Sequence, residues 1–129
     1  MVKRLLALSI LAAGFALAQS PVYELRTYTA PDGKLDALIA RFKDRTIAIF
    51  NKHHMESVGY WVPQDAPASK NTLIYILKHP SRAEGEKNWA AFQADEEWKK
   101  VVAETEKDGK LATKVERVWM DATTFSKLK

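Results

Sequence analysis

Beyond residue 20 the apolar residues fall into six periodic segments, ordered strand, helix, strand, strand, helix, strand. No other feature constrains the fold as much. A single βαββαβ unit makes one four-stranded sheet with its helices on one face and leaves the other face open. The first segment, Val22 to Ala30, is rich in Tyr and Thr and ends at the breaker Pro31-Asp-Gly33. Leu35, Leu38, Ile39, Phe42, Ile49 and Phe50 then recur at helical spacing. That predicts a helix capped by Asp32 and ending near His53 or His54. Glu56 to Val62 reads as a strand, and Pro63 to Asn71 as a loop. Thr72 to Leu77 is a nearly continuous apolar run, the signature of a strand covered on both faces. Ser81-Arg-Ala-Glu84 is a capping box that opens a second helix, which breaks where Asp95 caps a new segment at Glu96. Gly109 ends that segment, Ala112 to Met120 is the last strand, and a tail follows.

The first eighteen residues read differently. Met1-Val-Lys-Arg4 is basic, Leu5 to Leu17 is apolar but short for a bilayer, and Ala16-Leu-Ala18 is an A-x-A cleavage pattern. This is the anatomy of a signal peptide, with an N-terminal membrane anchor as the alternative reading. The reading is a signal peptide over 1–18, a lead-in over 19–21, a domain over 22–126 and a tail over 127–129. The mature protein is then expected to be periplasmic or secreted, without stable membrane association. Twenty Lys+Arg less Lys3 and Arg4, set against 16 Asp+Glu, leave a net charge of about +2. That balance gives no reason to expect nucleic acid as a partner. With no Cys, an exported domain of this size depends on apolar burial rather than disulfides.

Apolar groups occur on both parities of the strands. Leu73, Tyr75 and Leu77 share one face of their strand, and Ile74 and Ile76 the other. Helices cover only one of these faces, so the other is expected to pair with a second copy of the chain, sheet against sheet.

Tyr23-Glu-Leu-Arg-Thr-Tyr28, Gly33-Lys-Leu-Asp36, His53, Val58-Gly-Tyr-Trp61, Trp89-Ala-Ala-Phe92, Asp95, Glu97-Trp98 and Phe125-Ser126 resemble the NIPSNAP domain family in order and spacing. The resemblance spans Val22 to Ser126. It implies an α+β, ferredoxin-like βαββαβ sandwich with a four-stranded antiparallel sheet, assembled as a dimeric α/β barrel. The chain departs from the family's pattern at His54, where Gly is usual, and at Glu96, where Pro is common. The resemblance implies no agreed activity.

For chemistry the sequence offers a short set of residues. If Leu25 faces the helices, alternation sends Glu24, Arg26 and Tyr28 to the opposite face, into the barrel. Arg26 then either binds an anion or an oxygen there, or is architectural, in ion pairs involving Glu24, Glu116 or Arg117. His53, at a helix C-terminus, is either a ligand or base at the barrel mouth or a partner for terminal carbonyls. Of the large rings, most belong to the core, and Trp61 and Trp89 are expected to close the cavity. The expected ligand site is thus Arg26, Tyr28, His53, Trp61 and Trp89, with no catalytic residue assigned. His53, His54 and His79 lack metal-site spacing, so no metal is expected. No cofactor is expected either, although haem with His53 or His79 as axial ligand stays open.

Three functions compete. The first is an exported homodimer that binds a small apolar or aromatic ligand. The second is an enzyme like the cofactor-free monooxygenases or haem-handling enzymes of related barrels. The third is a structural or protein-interaction module using the Pro63–Asn71 loop and the C-terminal tail.

Overall fold

The computed structural model describes residues 20–129, and the signal peptide read over residues 1–18 lies outside the described residues. Strands β1 (Val22–Thr29), β2 (Glu56–Trp61), β3 (Thr72–His79) and β4 (Lys114–Asp121) form one antiparallel sheet in the order β2-β3-β1-β4. Helices α1 (Leu35–Arg41), α2 (Ile47–Lys52), α3 (Arg82–Ala94) and α4 (Glu96–Thr105) lie on one face. This is the α+β, ferredoxin-like arrangement that the segment order implies.

Local chemistry explains most boundaries. Ser81 Oγ accepts from the Glu84 N–H at 3.1 Å and starts α3. Asp95 Oδ1 accepts from the Glu97 N–H at 2.8 Å, so one residue ends α3 and caps α4. The Asp32 cap is a correction. Lys34 N–H bonds back to the Pro31 carbonyl, closing a turn with Gly33 at φ +75°, and α1 begins after Lys34 without a side-chain cap. Asp32 is spent in the turn and stands too far upstream.

The first helical run is not uniform. Phe42–Thr46 winds as a π-helix between α1 and α2. It brings Arg41, Phe42 and Thr46 to the buried side in the interval where the apolar stripe lapses, and Thr46 Oγ1 donates to the Arg41 carbonyl. α2 ends in a Schellman motif. Met55 N–H reaches the Phe50 carbonyl at 2.9 Å and His54 N–H the Asn51 carbonyl at 3.2 Å, with Met55 wholly buried. His54 therefore sits at C′ with φ 59°, a left-handed position that disfavours a side chain. His54→Gly is expected to raise stability by about 0.5–1 kcal/mol, the relief exceeding the entropy Gly gains in the unfolded chain. The urea midpoint checks this.

The core lies between sheet and helices. Leu38, Phe42, Ile49, Phe50, Met55, Leu73, Tyr75, Leu77, Trp89, Phe92 and Val101 are buried there. On the other face, register places Leu25 beside Ile76 and Val118, and Thr27 beside Ile74, which adjoins Trp61. Trp61 and Val118 are about half exposed. The C-terminal tail folds back at one edge of this face, where Leu128 lines a groove with Tyr23, Ile76 and Met120.

Candidate functional site

β1 faces opposite to the parity reading. Leu25 lies on the open face, and Glu24, Arg26 and Tyr28 point into the helix-covered core, aligned with Leu77, Tyr75 and Leu73 of β3. The charged pair is inside because its partners come from elements distant in sequence. Glu24 is fully buried, and its Oε1 accepts from Trp89 Nε1–H of α3 at 2.6 Å and from His79 Nε2–H at the end of β3 at 2.9 Å. Its Oε2 accepts from Arg26 Nη1–H at 3.2 Å.

The chain of contacts continues. Arg26 Nη2–H donates to Tyr28 Oη at 3.1 Å, and the Tyr75 hydroxyl meets the same oxygen at 3.0 Å. The guanidinium lies 4.1 Å above the Trp89 ring, a desolvated cation–π contact. Arg41, also buried, approaches from α1, its guanidinium 5.2 Å from the Trp98 ring and its Nη1–H making a long 3.4 Å bond to Thr105 Oγ1.

The electrostatics follow from burial and partners. Burial alone pushes the Glu24 carboxyl up, but the His79 and Trp89 hydrogen bonds and the Arg26 charge outweigh it and hold the group below the usual range. Burial opposes the Arg26 charge, yet Tyr28, Tyr75 and Glu24 leave its pKa raised. Burial, with Tyr28 alongside, pushes the Tyr75 phenol well up. Burial lowers the Arg41 pKa despite Glu106.

Two buried guanidinium donors in this cluster lack an acceptor. Glu24 is its one buried carboxylate and already takes three donors. The Tyr75 hydroxyl donates to Tyr28 Oη, which also accepts from Arg26. Among the described residues, Arg26 Nε–H and Arg41 Nε–H, both buried, have no partner. Such an arrangement is chemically suited to hold an oxyanion.

The expected site residues divide. Arg26, Tyr28 and Trp89 come together. His53 stands one ring away, across Phe92, with its Nε2 at 2.6 Å from Asp95 Oδ2, which also accepts from Lys52 at 2.7 Å. It thus ties α2 to the α4 cap rather than bonding helix carbonyls. Trp61 is a further correction. It points to the open face, its ring over Gly59, and cannot close a cavity with Trp89. Glu24, His79, Tyr75 and Arg41 complete the cluster and lie outside the expected ligand set; the shared parity of Leu73, Tyr75, Leu77 and His79 is the available signal.

Among the described residues no group of three His, Asp or Glu is placed to hold a metal. His53 and His79, the two residues considered for a haem, both have Nε2 on a carboxylate, and His79 is wholly enclosed.

A sequence profile of the NIPSNAP family matches residues 23–127. The chain belongs to the NIPSNAP family. Among solved structures it is similar to a NIPSNAP family protein of unknown function from Agrobacterium tumefaciens, at 27% identity and a TM-score of 0.74, covering 86% of this chain and 96% of that one. A NIPSNAP-like domain protein from Burkholderia xenovorans has 18% identity and a TM-score of 0.72, with 84% and 90% covered. The fold also matches that of SnoaB, a cofactor-independent oxygenase from Streptomyces nogalater, at 14% identity and a TM-score of 0.50, with 80% and 93% covered. No curated protein matches the NIPSNAP chain significantly.

Proposed function

We propose that this NIPSNAP protein is an exported homodimer whose subunits each bind a small aromatic ligand bearing an oxyanion, between sheet and helices. The observation that carries the ligand reading is the pair of buried, unpartnered guanidinium donors, Arg26 Nε–H and Arg41 Nε–H, beside the Tyr28 and Tyr75 hydroxyls. A ligand oxygen would satisfy donors that otherwise lie buried without acceptors. Phe42, Phe50, Trp89 and Phe92 supply rings against which a flat molecule packs. The dimer reading rests on the open sheet face, where Leu25, Ile74, Ile76, Trp61 and Val118 form an apolar surface of the kind that protein contacts bury. Export rests on the anatomy of residues 1–18.

A second reading, an oxygenase that needs no cofactor, draws on the same cluster. Donors that hold a bound oxyanion would also stabilise one developing on a substrate. The fold shared with SnoaB is compatible with it.

Calorimetry with aromatic carboxylates and phenols against matched hydrocarbons tests the ligand reading. The oxygen-bearing compounds are expected to bind the wild-type protein, and Tyr28→Phe to weaken them at least about tenfold, equivalent to 1.4 kcal/mol. Equal affinity for the hydrocarbons would remove the oxyanion site. Sedimentation at micromolar concentration should show a dimer; a stable monomer would end that part of the proposal. Oxygen uptake with the compounds that bind separates the enzyme reading from the binding module.

A further inference from the structure

One groove in the molecule has backbone irregularities on both of its walls. Ile39, Phe42, Lys43 and Ile47 line one side, and Tyr60 and Leu73 the other, around a volume of about 200 Å³. The helical wall contains the π-helix Phe42–Thr46. The strand wall, β2, is an edge strand with a bulge between Ser57 and Gly59, immediately before Tyr60. π-helical turns and bulges both disrupt regular hydrogen bonding and recur beside functional sites.

Behind this groove lies the buried cluster. Tyr60 stacks on Tyr75 with centroids 5.3 Å apart and planes at 23°, and Phe42 stands 5.1 Å from Tyr75 and 5.6 Å from Tyr28. A single layer of rings therefore separates the groove from the two hydrogen-bonded phenols. The Tyr60 hydroxyl meets Ser57 Oγ at 2.8 Å. Apart from that bond the ring is held by its packing on Tyr75 and Phe42, with the bulge one residue before it.

The geometry points to this groove as the mouth of the ligand site, with Tyr60 as its gate and a flat phenol or enol as the class of ligand; this rests on the oxyanion reading above. The volume is below the ~300–1,000 Å³ of pockets for drug-sized molecules, so the occupant is small. The walls are aliphatic and aromatic, which selects a flat apolar body. Lys43 is the one charged residue lining the mouth and favours an anionic form. The ring enters where Tyr60 now stacks, and its oxygen arrives at Tyr28, Tyr75 and Arg26. There the donors favour the deprotonated state.

The probe is 4-nitrophenol, whose absorption distinguishes phenol from phenolate, added to the full chain in stopped-flow and equilibrium experiments. Wild-type protein is expected to bind it with a shift toward the phenolate spectrum. Ile39→Trp and Ile47→Trp, which fill the mouth, should each slow association at least about tenfold, a change in on-rate beyond ordinary variation among mutants of one site. Ser57→Ala, which releases the gate, should speed it. Unchanged association in both tryptophan variants, together with weakened binding in Tyr28→Phe, would overturn the mouth and leave the oxyanion site standing. Absence of a phenolate shift in wild type, or binding indifferent to Tyr28→Phe, would overturn both.

Discussion

Glu24→Gln is expected to destabilise the protein by about 3–5 kcal/mol, the usual cost of removing one partner from a buried ion pair. Glutamine keeps the shape and can still accept from Trp89 and His79. What it cannot do is accept from Arg26, because the amide NH₂ would then face Nη1–H, now 3.2 Å from the carboxylate. The guanidinium would remain nearly enclosed, with Tyr28 as its one hydrogen-bond acceptor and no counter-ion. Arg26→Met is expected to cost less, since Glu24 keeps two strong donors. The double variant should lose less than the sum of the single losses, which is the signature of coupling. Urea unfolding at fixed protein concentration measures all three, and additive losses would mean that the pair is not coupled.

The same carboxylate sets an acid limit. The folded pKa of Glu24 lies below the ordinary glutamate value, so folding favours its ionised form. Its contribution is fully present above the unfolded pKa of about 4.3 and is lost as pH falls through the lower folded value. Asp95, held well below its usual range by Lys52 and His53, adds a loss of the same sign over a similar window. Stability should thus be insensitive to these groups near neutrality and fall below about pH 4, with part of that fall absent in Glu24→Gln.

How much of this could be read from the chain depended on the distance over which each residue finds its partners. The order of elements follows from apolar period. The Ser81 and Asp95 caps follow from residues two or three positions apart, and both appear as expected. The face of β1 did not follow. Both of its parities mix apolar with polar groups, and the partners that pull Glu24 inward are His79 and Trp89, 55 and 65 positions away. The π-helix left a fainter trace, the lapse of the apolar stripe between Phe42 and Ile49, because an extra residue in a turn changes the spacing without changing composition. Trp61 departs from expectation for a related reason: aromatic character suggests a pocket wall, whereas pairing through the bulge puts its ring outside.

The second large effect concerns a glycine that no motif marked. Gly85 lies in α3, where Ala would ordinarily be better by about 0.5–1 kcal/mol. Here the expected sign is reversed. A Cβ at Gly85 would stand 2.7 Å from Trp119 Cη2 and 2.9 Å from His79 Cγ, with the His79 ring fixed by Glu24. The histidine cannot retreat without losing that bond, so α3 must lift off the sheet, and overpacking of this kind costs about 1–3 kcal/mol. Because Trp89 travels on the same helix, the disturbance should reach its 2.6 Å bond to Glu24 and alter near-ultraviolet circular dichroism. Gly59→Ala is the control. Its Cβ would come equally close, 2.7 Å from Trp61 Cη2, but that ring is about half exposed and free to swing away in an isolated subunit. The expected outcome is a clear loss for Gly85→Ala and a much smaller change for Gly59→Ala where the open face is unpaired. Equal losses in both would mean that Trp61 is held as firmly as His79, as it would be if a second copy covered the open face.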